Sequence, residues 1–173
     1  NPYTGELISY VGGYDFTARS QLDHVQQIRR QPGSSFKPIV YCAALQERVI
    51  TPSTVFMDRK KVFMGGYAPE NYDKKYLGEV IVREALRRSI NVVSVKVLDR
   101  TGYSRIFSML QNALDMSSGE LGDSFGKTLS MALGTYEVSP IENAILHSVI
   151  VNGGEFIKPF GIRYVNDYNG NIV

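Results

Sequence analysis

Residues 31–38 read Gln-Pro-Gly-Ser-Ser-Phe-Lys-Pro, and an apolar run (residues 39–45, Ile-Val-Tyr-Cys-Ala-Ala-Leu) follows them directly. The run predicts a buried helix, and Pro38 fits only in its first turn because proline has no N–H group to donate. Ser34 is therefore predicted at the helix N-terminus, with Lys37 one turn further on the same face. A hydroxyl beside an amine that can take its proton, and beside unpaired backbone N–H groups, is typical of an activated nucleophile.

A second polar segment, Ser89-Ile90-Asn91, interrupts two stretches of helical character. Serine and asparagine both favour helix caps, so this segment on its own is well explained as a helix stop followed by an N-cap. Beside the Ser34–Lys37 pair it has a second interpretation, in which the Ser89 hydroxyl relays a proton and the Asn91 carboxamide holds a substrate amide. The residues alone leave both interpretations open.

The two segments resemble the first two motifs of the penicillin-binding, serine acyl-transferase superfamily, Ser-x-x-Lys and Ser-x-Asn. Four further blocks resemble the transpeptidase domain of class A, bifunctional penicillin-binding proteins: residues 1–7 (Asn-Pro-Tyr-Thr-Gly-Glu-Leu), 11–16 (Val-Gly-Gly-Tyr-Asp-Phe), 83–86 (Arg-Glu-Ala-Leu) and 132–140 (Ala-Leu-Gly-Thr-Tyr-Glu-Val-Ser-Pro). The blocks keep their order over nearly the whole chain. The sequence is therefore identified as a member of this family.

The resemblance implies a D,D-transpeptidase that cross-links peptidoglycan stem peptides. Ser34 would attack the penultimate D-alanine carbonyl, expel the last D-alanine and pass the acyl group to an amine of a neighbouring strand. Lys37 would accept the Ser34 proton, which requires a pKa lowered by burial or by nearby positive charge. Ser89 would pass a proton to the leaving amine, and Asn91 would bind the substrate amide. β-Lactams would acylate Ser34 because they mimic D-Ala-D-Ala.

The third family motif, Lys-Thr-Gly, is absent: Lys127-Thr128 is followed by Leu129 and precedes the segment where the family places that motif. We interpret Lys127-Thr128 as a chance dipeptide. Residues 1–173 are therefore predicted to be the N-terminal part of a transpeptidase domain. The missing C-terminal part is an expected partner, because its strand would supply the second oxyanion N–H group and the substrate carboxylate clamp. The family also implies an extracytoplasmic location, with an N-terminal membrane anchor and a glycosyltransferase domain.

Two alternative functions remain. A D-Ala-D-Ala carboxypeptidase or a β-lactamase would use the same chemistry with water as the acceptor, although the sequence marks no deacylating base. A truncated module that binds peptidoglycan without turnover is the other alternative, and only the absent third motif supports it.

Composition and charge exclude several other classes of protein. The net charge of +2, from 19 basic and 17 acidic residues, is too small to indicate nucleic-acid binding. His24 and His147 are the only histidines, and neither has neighbours at ligand spacing, so no metal site is predicted. No cofactor is implied. Cys42 has no cysteine to pair with and is predicted to be an inert core thiol.

The resemblance implies an α/β (α+β) fold, with helices packed on an antiparallel sheet that this chain leaves incomplete. The residue patterns predict helices over 80–88, 92–100, 103–114 and 127–133, a capped helix over 139–151, strands over 7–11, 155–157 and 162–165, a hairpin turn at Asn169-Gly170, and irregular chain over 49–78 and 115–126. Residues 65–72 are either a plain loop or part of the active-site rim. With its sheet incomplete, residues 1–173 are not expected to fold alone.

Overall fold

The computed structural model describes residues 1–15, 17 and 21–172. Phe16, part of one block that carries the resemblance, and Val173, at the end of the predicted hairpin, lie outside the described residues. The elements are α1 (Lys37–Gln46), β1 (Val55–Asp58), β2 (Gly78–Ile81), α2 (Val82–Arg87), α3 (Asn91–Thr101), α4 (Tyr103–Leu114), α5 (Ser118–Ser124) and α6 (Pro140–Val151), with 3-10 turns at Gly33–Phe36, Met64–Gly66 and Leu129–Leu133.

Helices α1 and α3 pack against each other at the centre of the molecule. Most residues of each helix are buried, six of ten in α1 and seven of eleven in α3, as expected for helices at the centre of a core. The side chains of Val40 and Val95 are completely buried, and a buried hydrogen bond of 3.3 Å joins the Tyr41 and Ser94 hydroxyls across the two helices. Helices α4 and α6 cover α1 from outside. Each candidate motif therefore lies at the start of a helix that the core holds rigidly.

Strands β1 and β2 pair antiparallel, with Val55 opposite Ile81 and Asp58 opposite Gly78. The architecture is therefore mixed helix plus antiparallel sheet, as expected, and the sheet has two strands among the described residues. The prediction of irregular chain over 49–78 missed β1. The helix predicted over 80–88 begins later, at Val82, because residues 80 and 81 belong to β2.

The strands predicted over 7–11, 155–157 and 162–165 are wrong within the described residues. Glu6 forms one parallel bridge with Phe160, and Asn166 forms one antiparallel bridge with Ile172. A strand needs a ladder of bonds to a neighbour, whereas the bridges here are isolated and lie just outside the predicted segments. The predicted turn does form, with Asp167 N donating to Asn171 O at 2.8 Å.

Capping boxes open two helices, α6, which was predicted from the sequence, and α5, which was missed. The capping box predicted at Ser139 is present: Glu142 N donates to Ser139 Oγ at 3.2 Å, and Ser139 N donates to the Glu142 carboxylate at 2.7 Å. Residues 115–126 are not irregular, because Ser117 and Glu120 form a second capping box that opens α5. The helix predicted over 127–133 is shorter and is the 3-10 turn Leu129–Leu133.

Within the part of the chain that the structure describes, no helix is both long enough and apolar enough to span a bilayer.

Candidate active site

Ser34 lies in the 3-10 turn that leads directly into α1, and its side chain is exposed. Gly33, just before it, has φ +58°, a left-handed conformation that glycine adopts with little strain. The next hydroxyl, Ser35 Oγ, is partly buried; it donates to Pro32 O at 2.8 Å and accepts from Asn143 Nδ2 at 3.4 Å. Of the two adjacent serines, Ser34 is the one whose hydroxyl is available to a substrate.

Lys37 is the first residue of α1 and is only 1% exposed. Its Nζ atom donates to Ser89 O at 2.6 Å, to Ser89 Oγ at 2.8 Å and to Asn91 Oδ1 at 2.6 Å. Three acceptors match the three protons of an ammonium group. Burial nevertheless disfavours the charge and lowers the pKa of Lys37 to about 8, so about a tenth of the amine is neutral at pH 7.

The structure brings Lys37, Ser89 and Asn91 into direct contact, across a separation of more than fifty residues. Among the described residues, Lys37 Nζ makes no hydrogen bond with the Ser34 hydroxyl. The amine instead points toward the segment between α2 and α3. Ser34 lies in the turn before α1 and Lys37 is the first residue of α1. Lys37 must release a proton before it can accept one from Ser34.

Ser89 lies between α2 and α3 with φ +56°, an uncommon conformation for a residue other than glycine. The segment does stop one helix and start another, but neither of its two polar residues is the N-cap. The N-cap of α3 is Ile90, which makes no side-chain cap, and Asn91 is already the first helical residue. Both polar side chains of the motif are thus turned to Lys37 rather than to the helix end.

A buried polar network behind the motif was not found from the sequence. Asn71 Oδ1 accepts from Val92 N at 3.1 Å, and its Nδ2 donates to both Asp58 carboxylate oxygens at 3.0 and 3.1 Å. Asp58 is fully buried at the end of β1. Asn91 Nδ2 donates to Glu70 O at 2.9 Å, so residues 70 and 71 hold the start of α3 from outside.

Of the two interpretations of residues 65–72, the contacts made by Glu70 and Asn71 favour the active-site rim. The sequence alone identified that stretch as a possible part of the site. It did not identify Asp58, because a carboxylate beside a basic run is normally solvated.

The remaining candidate residues stay outside this cluster. The Lys127-Thr128 dipeptide precedes the 3-10 turn Leu129–Leu133 and does not lie on a strand. His147 lies on α6, half-buried. Within the described ranges, no three or more histidine, cysteine, aspartate or glutamate side chains gather as metal ligands would.

Comparison with known proteins identifies the family. The model of the penicillin binding protein transpeptidase domain matches residues 1–171. Penicillin-binding protein 1A of Rickettsia felis is 34% identical over 178 residues, which cover all of this chain and 22% of that protein. Penicillin-binding protein 1A of Pseudomonas aeruginosa is 35% identical, with 21% of its length covered. The chain thus spans about a fifth of the length of the curated relatives it matches.

Solved structures agree with this assignment. The crystal structure of penicillin-binding protein 1A from Haemophilus influenzae superposes with a TM-score of 0.82 at 29% identity, over 94% of this chain and 24% of that one. An imipenem acyl-enzyme complex of penicillin-binding protein A from M. tuberculosis has the same fold, with a TM-score of 0.75 at 23% identity over 91% and 40% of the two chains. The chain therefore belongs to the penicillin-binding protein transpeptidase domain family, and the resemblance to class A transpeptidase domains is confirmed.

Proposed function

We propose that this chain carries the nucleophile and the proton-transfer groups of a serine D,D-transpeptidase that cross-links peptidoglycan stem peptides ending in D-Ala-D-Ala. One observation carries the proposal: a buried lysine is hydrogen-bonded to both polar side chains of Ser89-Ile90-Asn91, at the end of the helix that also presents an exposed serine. Family membership supports the reaction class, and the geometry supports the roles of the four residues.

In the acylation step, Ser34 Oγ bonds to the carbonyl carbon of the penultimate D-alanine. Its proton passes to neutral Lys37, whose pKa of about 8 suits a general base near neutral pH. The backbone N–H of Ser34 donates to the oxyanion. The C–N bond then breaks, and the nitrogen of the last D-alanine takes a proton through the Ser89 hydroxyl, which lies 2.8 Å from Lys37 Nζ.

In the second step, an amine of a neighbouring stem peptide attacks the ester, loses its proton to the same groups and frees the Ser34 hydroxyl. An amide replaces the ester, so the reaction is a net exchange of amide partners. Water in place of the amine would give a carboxypeptidase or a β-lactamase, and the described residues offer no feature that favours water.

Asn91 has the capacity left to bind a substrate amide. Its Oδ1 has two lone pairs, one of which accepts a hydrogen bond from Lys37 Nζ. Its Nδ2 has two protons, one of which is donated to Glu70 O. The remaining proton can be donated to the C=O group of a substrate amide. The contact with Lys37 fixes the amide orientation that such binding needs.

β-Lactam antibiotics are proposed ligands of Ser34. Support comes from the structural neighbour penicillin-binding protein A, which has been solved as imipenem and ceftriaxone acyl-enzymes. That likeness is one of fold, so the inference for this chain depends on its own Ser34–Lys37–Ser89 arrangement.

We further propose that residues 1–173 are one part of the transpeptidase domain. No Lys-Thr-Gly occurs in the chain, so the second oxyanion donor and the carboxylate clamp would come from a strand outside these residues. The whole protein is proposed to act at the extracytoplasmic face of the bacterial membrane, where its substrate is.

Labelling of the full-length protein with a fluorescent penicillin tests the proposed function. We expect a covalent label that lasts for hours and disappears in Ser34→Ala. Ser35→Ala is the matched control and should keep the label, because Ser35 Oγ is engaged with Pro32 O. A label lost within seconds would indicate a hydrolase. Absence of any label, or loss of label in Ser35→Ala alone, would overturn the proposal.

A further inference from the structure

The turn that carries Ser34 contacts a second turn, which ends at Gly134, about a hundred residues later in the chain. Backbone atoms of both turns form the contact. Gly134 ends the 3-10 turn Leu129–Leu133 with φ +68°, and Gly33 N donates to Gly134 O at 3.1 Å. A Cβ atom on Gly134 would lie 2.6 Å from Gly33 N, 2.8 Å from Gly33 C and closer still to the Gly33 carbonyl oxygen. All three are backbone atoms, so no side-chain rotation could relieve the contact.

The same two segments pair again just outside this contact. Arg30 and Val138 exchange two backbone hydrogen bonds of 3.0 Å, and Val138 is buried. The Arg29 guanidinium donates to Glu137 O at 3.2 Å. Residues 29–33 are therefore held along their length by residues 134–138, and the Gly33–Gly134 contact is the end nearest Ser34.

Backbone contacts of this kind must set the position of Ser34, because its side chain provides no anchor. Ser34 is exposed, and among the described residues its hydroxyl makes no hydrogen bond. We propose that Gly134 is a positioning residue, whose missing side chain lets the Gly33–Ser34 turn sit where the Ser34 hydroxyl and N–H can act. The assignment of Ser34 as nucleophile rests on the proposed function above.

The size of the effect follows from geometry. Real Cβ atoms keep at least 3.0 Å from such neighbours, so a methyl group at position 134 must displace the turn by about 1 Å. A displacement of about 1 Å at the reacting groups is enough to lower a rate about 10²-fold. Lys37 is held separately, by Ser89 and Asn91, so its proton affinity should not change.

Gly134→Ala in the full-length protein tests the proposal, with Gly102→Ala as the matched control. Gly102 has φ +85° and ψ 152°, a region that is at least as unfavourable for alanine as the left-handed one at Gly134, but a Cβ on Gly102 meets nothing within 4 Å, so this control carries backbone strain without the contact. The acylation rate at saturating fluorescent penicillin should fall about 10²-fold in Gly134→Ala and less than about threefold in Gly102→Ala. The pH midpoint and the non-covalent dissociation constant should stay unchanged in both.

Full-rate acylation by folded Gly134→Ala, or equal losses in the two variants, would overturn the proposal. Hydrogen exchange in the wild-type protein provides a second test that needs neither activity nor a folded variant. The Gly33 amide should be protected as strongly as amides in α1, because it donates to Gly134 O. Exchange at the rate of an open loop would show that the two turns are not held together. Strong protection of the Gly33 amide in a protein that takes no fluorescent penicillin would support the Gly33–Gly134 contact and contradict the proposed function.

Discussion

Among single residues, Lys37 has the most demanding surroundings. It is buried at the start of α1, and its ammonium group faces three oxygen acceptors with no carboxylate among its hydrogen-bond partners in the described structure. Arginine could not replace it, because a guanidinium stays protonated at any accessible pH, whereas a lysine amine loses its proton when burial lowers its pKa. Under the proposed function, desolvation rather than a counter-ion would prepare Lys37 as the base.

The pH dependence of acylation follows from that pKa. The pKa of Lys37 is about 8, so below pH 8 the neutral, proton-accepting fraction falls about tenfold per pH unit. We expect the rate of acylation by a fluorescent penicillin at low concentration to rise between pH 6 and 8 and to level off above pH 8. Lys37→Arg should lose about 10²-fold to 10⁴-fold at pH 8 and above, and its remaining rate should not rise between pH 6 and 8.

Lys96→Ala serves as the control for this experiment. Lys96 is a second lysine whose pKa is lowered, chiefly by desolvation, but its amine donates to Met57 O, outside the Lys37 cluster. Its pH profile should match that of the wild type. A wild-type rate that is constant from pH 6 to pH 10 would argue against Lys37 as the base.

At the scale of elements, the helices that carry the motifs were the easiest to predict and the small elements were the hardest. The apolar run after Pro38 and the capping box at Ser139 are local signals, and both α1 and α6 form where they predict. Strand β1 has four residues, and its identity depends on pairing with β2 across a long connection. Helix α5 was missed although Ser117-x-x-Glu120 has the same capping pattern as Ser139-x-x-Glu142, because few apolar residues follow it.

The two capping boxes permit a matched comparison of stability. Ser139→Ala should lower the free energy of unfolding by about 1 kcal/mol or more, because α6 packs on α1 and α4 and Ser139 is buried. Ser117→Ala removes the same motif from α5, a short helix that packs on α4, and should cost about 0.5 kcal/mol. Urea denaturation of the full-length protein measures both values, and a larger loss for Ser117→Ala would contradict this ranking.

At the scale of the whole molecule, the helices form the core and the segments near the two ends of the chain lie outside it. The segments around Glu6 and Phe160 meet in a single bridge, and several apolar side chains of these segments are exposed: Ile8, Val11, Ile162, Tyr164, Val165 and Ile172. Exposed apolar residues that alternate without a facing strand are not stabilised by burial. Apolar burial therefore contributes little to ordering these segments within residues 1–173.

An isolated chain of residues 1–173 should show this difference directly. We expect no single cooperative thermal transition, and we expect amides of residues 5–11 and 155–165 to exchange orders of magnitude faster than those of α1 and α3. Differential scanning calorimetry and hydrogen exchange by mass spectrometry check the two expectations. One sharp transition with even protection throughout would show that the helical core and the ends fold as a unit.

The sequence by itself determined the serine at a helix start, the lysine one turn later, the second polar motif and the family, because these depend on residue types at short spacing. The tertiary structure alone decided what those residues touch. It turned Lys37 toward Ser89 and Asn91, placed Asp58 and Asn71 behind them, and set Gly134 against Gly33. Such contacts join segments tens of residues apart, and only the packing of α1 against α3 and the surrounding turns brings them together.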